Sequence, residues 1–174
     1  MRVLEHKRNA GEKTMSTDIS FVARSQEENW RPILEIALEE VFEIMVGTRV
    51  KPVPLSAHTP DRELTAMVGL TGSLCGILTM CCSGKTAKAV AKAMLGSAAQ
   101  SQEEVSDALG EICNMVTGNF KNKLAGTDER CKLSVPTVVS GGHYTVHSML
   151  HGVSITTMVL FEGGPVMVTL QLSN

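Results

Sequence analysis

The segment QEEVSDALGEICNMVTGNFKNKL, residues 102–124, decides how the rest of the chain is read. Its apolar residues Val105, Leu109, Ile112, Val116 and Phe120 fall within a sector of about 80° on a helical wheel, which predicts an amphipathic helix docked on a core. Ser101 and Glu104 form a capping box at its start. Opposite the stripe lie Asp107, Glu111, Asn114 and Gly118, spanning about 60°. A carboxylate and a carboxamide thus stand side by side, directed outward, on a helix held by its other face. Gly118, a poor helix residue in the same strip, removes bulk and lets another backbone approach. An ordinary solvated face satisfies the same pattern, so periodicity alone assigns it no task.

Upstream, a small Ala-rich helix is expected from Gly84 to Leu95, capped by Ser83 and closed by Gly96. Before it, two short strands, Leu64–Leu70 and Leu74–Cys82, flank the turn Thr71-Gly72-Ser73 and read as a hairpin. A Pro-rich loop separates the hairpin from a first helix over Trp30–Val46, whose positions Ile33, Leu34, Ala37, Leu38, Val41, Phe42, Ile44 and Met45 keep the helical rhythm. Asn29 suits its N-cap, because Pro32 then sits in the first turn, and Gly47 suits its end. Residues 1–25 are polar and aperiodic and read as a disordered lead-in, leaving 26–174 as one domain. Downstream, strands are expected at Cys131–Val139, His143–Leu150, Val153–Phe161 and Val166–Leu172. The order α-β-β-α-α-β-β-β-β predicts an α+β fold, a mostly antiparallel sheet with a helix layer on one face.

Composition removes several function classes. The 174 residues carry 16 Lys+Arg against 18 Asp+Glu and only 3% aromatics. Nucleic-acid binding wants a basic surplus or stacking rings, and neither is present. No apolar run approaches a bilayer span. The five cysteines are an odd number without a C-x-x-C pair, and no signal peptide precedes them, so reduced core thiols in a cytoplasmic protein are expected.

Two motifs fail on inspection. Ser83-Gly84-Lys85-Thr86 looks like the end of a phosphate-binding loop, but the glycine required five residues before Gly84 is Thr79. His143, His147 and His151 recur every four residues. On a strand, that spacing separates neighbours by about 13 Å, too far for one metal ion. No metal site is expected.

Asp107-Ala-Leu-Gly-Glu111-Ile-Cys-Asn114, followed after 21 residues by Pro136, resembles the signature of the CheC/CheX/FliY chemotaxis phosphatases. That signature is an Asp or Ser, three residues, Glu, two residues, Asn, then a distant proline. The order of elements from about Trp30 to Leu172 is similar to CheX. The first helix offers Glu35, Glu39, Glu40 and Glu43, yet Asn never stands three residues on, so the single copy favours a CheX-like rather than a CheC-like member.

The resemblance implies a hydrolase acting on the aspartyl phosphate of a CheY-like response regulator. Asn114 would position the attacking water and Glu111 would pair with the receiver's lysine, while Asp107 and Gly118 would shape the docking surface and Pro136 would be structural. The chain would bind no cofactor itself, and Mg2+ would travel with the receiver. CheX relatives pair through their sheets, and Leu74–Cys82 is apolar on both faces, so a homodimer is expected. The alternative is a non-catalytic CheX-like module that docks on a receiver or flagellar switch protein; such an adaptor has no need of Asn114.

Overall fold

The apolar periodicities become three helices laid on one antiparallel sheet. The computed structural model describes residues 11–58, 61–124, 130–142, 144–146 and 148–173, with backbone alone over 11–26. The helices are α1 (Gly11–Val46), α2 (Gly84–Leu95) and α3 (Gln102–Lys123). The strands are β1 (Leu64–Thr71), β2 (Gly76–Cys82), β3 (Lys132–Leu133), β4 (Thr137–Ser140), β5 (Gly152–Phe161) and β6 (Gly164–Ser173). They form a sheet of order β3-β1-β2-β6-β5, with β4 also pairing β1.

Alternation along the strands sets one buried face. Leu64, Ala66, Val68 and Leu70 of β1, Leu78 and Met80 of β2, and Val166, Val168 and Leu170 of β6 lie under the helices in one core. From above, α1 contributes Leu34, Leu38 and Phe42, and α3 contributes its whole predicted stripe. The Phe42 and Phe161 rings meet edge to face at 5.8 Å between centroids, tying α1 to β5. The β5–β6 hairpin turns through Glu162 and Gly163, both at positive φ, as a two-residue turn with strand-matching twist requires.

Helix ends follow the expected caps with one change. Ser83 accepts from the Thr86 N–H, and Gly96 and Gly47 adopt the left-handed conformation. Ser101 accepts from the Glu104 N–H, but the Glu104 carboxylate takes the N–H of Gln100 rather than that of Ser101. The Gly84 N–H at the start of α2 donates to the Glu63 carboxylate, so an amide a phosphate would use there already has an anionic partner.

Several expectations are corrected. The first helix opens at Gly11, not Trp30, so residues 11–25 carry helical backbone, Asn29 is interior and Pro32 lies inside the helix. A helix extended beyond its docked turns needs no apolar stripe, and periodicity is blind to it. Ile44 is 73% exposed rather than core. The strand expected over Cys131–Val139 breaks into β3 and β4. The strand expected over His143–Leu150 does not form among the described residues. The edge of β1 is taken by β3 and β4, and β5 is partly covered by a Pro52–Val159 bridge. The chain instead crosses the back of the sheet, where Tyr144 donates its hydroxyl to Thr65 Oγ1. His143 and His147 lie outside the described residues, and His151 is exposed.

Candidate active site

The stripe of α3 fixes what its other side can present. Val105, Leu109, Ile112, Val116 and Phe120 are each at most 2% exposed, so the helix can neither roll nor slide without opening the core. Asp107 and Glu111 are exposed, whereas Asn114 and Gly118 are half-buried. Glu111 and Asn114 are separated along the axis by about 4.5 Å, near enough for one ligand to touch both. Neither side chain, nor that of Asp107, makes a hydrogen bond or ion pair with the described residues. Glu103, Asp107 and Glu111 form an exposed acidic ridge at four-residue spacing. The ridge repels a free phosphate and attracts a cation.

The edge strand sets the other border of this strip. Between the pairs Met67↔Thr137 and Leu70↔Leu133, β1 uses two residues, Val68 and Gly69, while the edge uses three, Ser134, Val135 and Pro136. That surplus residue is a β-bulge. Pro136 cannot donate to a ladder, which is why the pairing lapses there. Ser134 repairs the gap: its backbone N–H donates to the Gly69 carbonyl, and its Oγ accepts the Gly69 N–H, both at 2.9 Å.

The bulge brings Pro136 against α3. A Cβ added at Gly110 would lie 3.3 Å from Pro136 Cβ and 3.4 Å from Val138 Cγ2, so the edge strand approaches the helix to a distance only glycine admits without displacement. Two turns on, a Cβ at Gly118 would meet Leu133 Cδ1 at 3.8 Å, an ordinary contact. Gly118 was expected to admit another backbone; its neighbour is a side chain of this chain. Pro136 packs against Gly110 and seats the edge strand on the helix there. Sequence reading passed over Gly110 and Ser134. The available signal was the glycine itself, which costs about 1 kcal/mol relative to Ala inside a helix and needs a packing reason.

The thiols stay out of this chemistry. Cys113, inside the signature, faces the core, and burial pushes its thiol up to about 12; burial does the same to Cys82. Cys81 is also raised by burial, and only Cys75 is exposed. Among the described residues no three His, Cys, Asp or Glu gather as metal ligands, and no helix is long and apolar enough to cross a membrane.

Comparison with known proteins bears on the same region. Residues 64–159 match the family model for chemotaxis phosphatase CheX. Over 100 residues the chain is 33% identical to the CheY-P phosphatase CheX of Thermotoga maritima, a match covering 56% of this chain and 64% of that relative's length. The crystal structure of chemotaxis protein CheX from Vibrio vulnificus superposes with a TM-score of 0.69 at 26% identity, covering 83% of this chain and 96% of the other. The CheX–CheY–BeF3–Mg2+ complex from Borrelia burgdorferi shares the fold, with a TM-score of 0.61 at 19% identity over 82% of this chain and 97% of that one.

Proposed function

The chain belongs to the chemotaxis phosphatase CheX family, and on that premise we propose that it hydrolyses the aspartyl phosphate of a CheY-like receiver domain. The observation that carries this reading is the pairing of Glu111 and Asn114. Both are directed off a helix whose opposite face is locked in the core, and among the described residues neither has a hydrogen-bond or ion-pair partner. Side chains without a partner among the described residues are available to one on another protein.

The chemistry gives each a task. An acyl phosphate is already electrophilic, and the receiver contributes its own lysine and Mg2+. What remains to be supplied is a water held in line with the scissile P–O bond. A carboxamide both donates and accepts, so Asn114 can grip that water while turning a lone pair toward phosphorus. This matches the water-orienting part played by glutamine in GTPases. Glu111 accepts the receiver's lysine and sets the register of the inserted helix, with the acidic ridge steering that cation in. Asp107 and Gly118 shape the docking surface, and neither carries a chemical step. The half-buried setting of Asn114 limits its rotamers, which favours positioning over mere contact.

The same reading places the protein in the cytoplasm with its substrate and leaves Mg2+ to the receiver. It also pairs two copies into a homodimer through the sheet, whose back face is only half covered at Ile77, Thr79, Met167 and Thr169. Light scattering at micromolar concentration should return twice the chain mass; the mass of one chain would refute the pairing. The activity is tested by incubating the protein with CheY-type receivers phosphorylated by acetyl phosphate and following loss of phosphate. Accelerated loss supports the phosphatase. Binding without acceleration would put a non-catalytic docking module in its place.

A further inference from the structure

We infer that the bulge of the edge strand, through the exposed side chain of Val135, is a second contact for the receiver and selects among receivers by an apolar residue beside their phosphoaspartate. This inference rests on the phosphatase reading above. Three observations carry it. First, α3 and the edge strand run side by side in a fixed register: Gly110 meets Pro136 and Gly118 meets Leu133. The helix covers about 12 Å between those glycines, and the strand about 10 Å between its two residues. Asn114, one turn from each glycine, is therefore bracketed across the seam by Ser134 and Val135.

Second, the bulge has a built conformation. Ser134 is tied to Gly69 through both its N–H and its Oγ, and its hydroxyl lies 2.9 Å from the Val135 carbonyl. Val135 is therefore presented from an anchored stretch of backbone. Third, Val135 is 83% exposed, whereas Leu133 and Val138 of the same edge are half-buried against α3. A β-branched side chain is stiff at χ1, so ordering it against a partner costs little entropy.

The flanks of Asn114 are thus chemically unlike. On the wheel Glu111 lies about 60° to one side of Asn114 and Gly110 about 40° to the other. One flank carries the carboxylates of Asp107 and Glu111, with Gly118 and its Leu133 neighbour further along it; the other carries Gly110, on which Pro136 sits beside Val135. The receiver that fits has a lysine on one side of its phosphoaspartate and an apolar side chain on the other. Continuity with the Glu111–Asn114 pair is what commits the bulge to that partner rather than to a second copy of this chain.

The test compares wild type, Val135→Asp and Val135→Leu in two measurements on one CheY-type receiver: steady-state hydrolysis of its phosphorylated form, and binding of its beryllofluoride–Mg2+ form. Val135→Asp should raise KM and Kd about tenfold, with kcat changed less than about threefold, while Val135→Leu stays within about threefold of wild type. Melting temperatures should coincide for all three, since the position is exposed. Unchanged KM and Kd in Val135→Asp, beside an active wild type, would overturn the contact and leave the phosphatase reading intact. An equal fall in kcat and rise in KM with a lowered melting temperature would make Val135 a structural residue and overturn it too. A wild type that neither hydrolyses nor binds any receiver would overturn the phosphatase reading, and the contact with it.

Discussion

Truncating Asn114 to Ala should separate turnover from stability. The carboxamide makes no hydrogen bond with the described residues, so among them Asn114→Ala deletes no polar contact and orphans no buried partner. The side chain is half-buried on the helix surface, outside the core cluster, so the cavity cost is small. Ala is the better helix former by up to about 0.7 kcal/mol, and Asn114 sits mid-helix, where that preference is fully expressed. The balance is a gain of a few tenths of a kcal/mol. For a chain of this size that is a rise of about 1 °C in melting temperature, since 1 kcal/mol moves it by about 2–4 °C. Turnover should move the other way. Loss of one group that positions a nucleophile removes about a hundredfold or more, equivalent to about 2.7 kcal/mol of barrier. The assay pairs calorimetric melting with dephosphorylation kinetics and a binding curve to the beryllofluoride form of the receiver. Near wild-type turnover in Asn114→Ala would refute the water-positioning role, and a melting temperature lowered by more than about 5 °C would show Asn114 to be a packing residue.

Three further outcomes are expected. Glu111→Ala should weaken binding and slow hydrolysis together, the binding part fading at high salt, because the proposed ion pair would form in the complex as well as in the transition state; a salt-independent effect measured by titration would contradict the pairing. Gly110→Val should lower the melting temperature by the equivalent of about 1–3 kcal/mol and depress turnover, because its branches collide with Pro136 and Val138, already 3.3 and 3.4 Å from a single Cβ. Gly110→Ala should be milder, its gain in helix propensity offsetting the squeeze; equal melting of Gly110→Val and wild type would dispose of the seam. Finally, hydrogen bonds from Lys123 and then Asn119 hold the Glu40 carboxyl below its ordinary value. Its contribution is present above the unfolded carboxylate range and is lost as pH falls through the depressed folded value, so the gap in melting temperature between wild type and Glu40→Gln should shrink from pH 7 toward pH 3. A gap that widens on acidification would contradict that sign.

The division between chain and fold is visible in particular elements. The stripe of α3, its Ser101 cap and the outward strip are local properties, because a helix converts spacing into direction without help from elsewhere. The hairpin of β1 and β2, the caps of α2 and the alternation of β5 and β6 are local in the same sense, and each lies where periodicity put it. The candidate pair Glu111–Asn114 was legible for that reason. The edge strand was not. Cys131–Val139 reads as one strand, yet it splits at a bulge where Pro136 seats on Gly110, 26 residues away in sequence. The segment after Gly142 alternates as a strand should, yet it forms none among the described residues and crosses the back of the sheet, where Tyr144 bonds Thr65. Strand formation needs a partner with unpaired N–H and C=O groups, and only the tertiary structure decides who has any left. The chain by itself determined which residues face outward from the long helix; packing across the sheet decided what stands beside them.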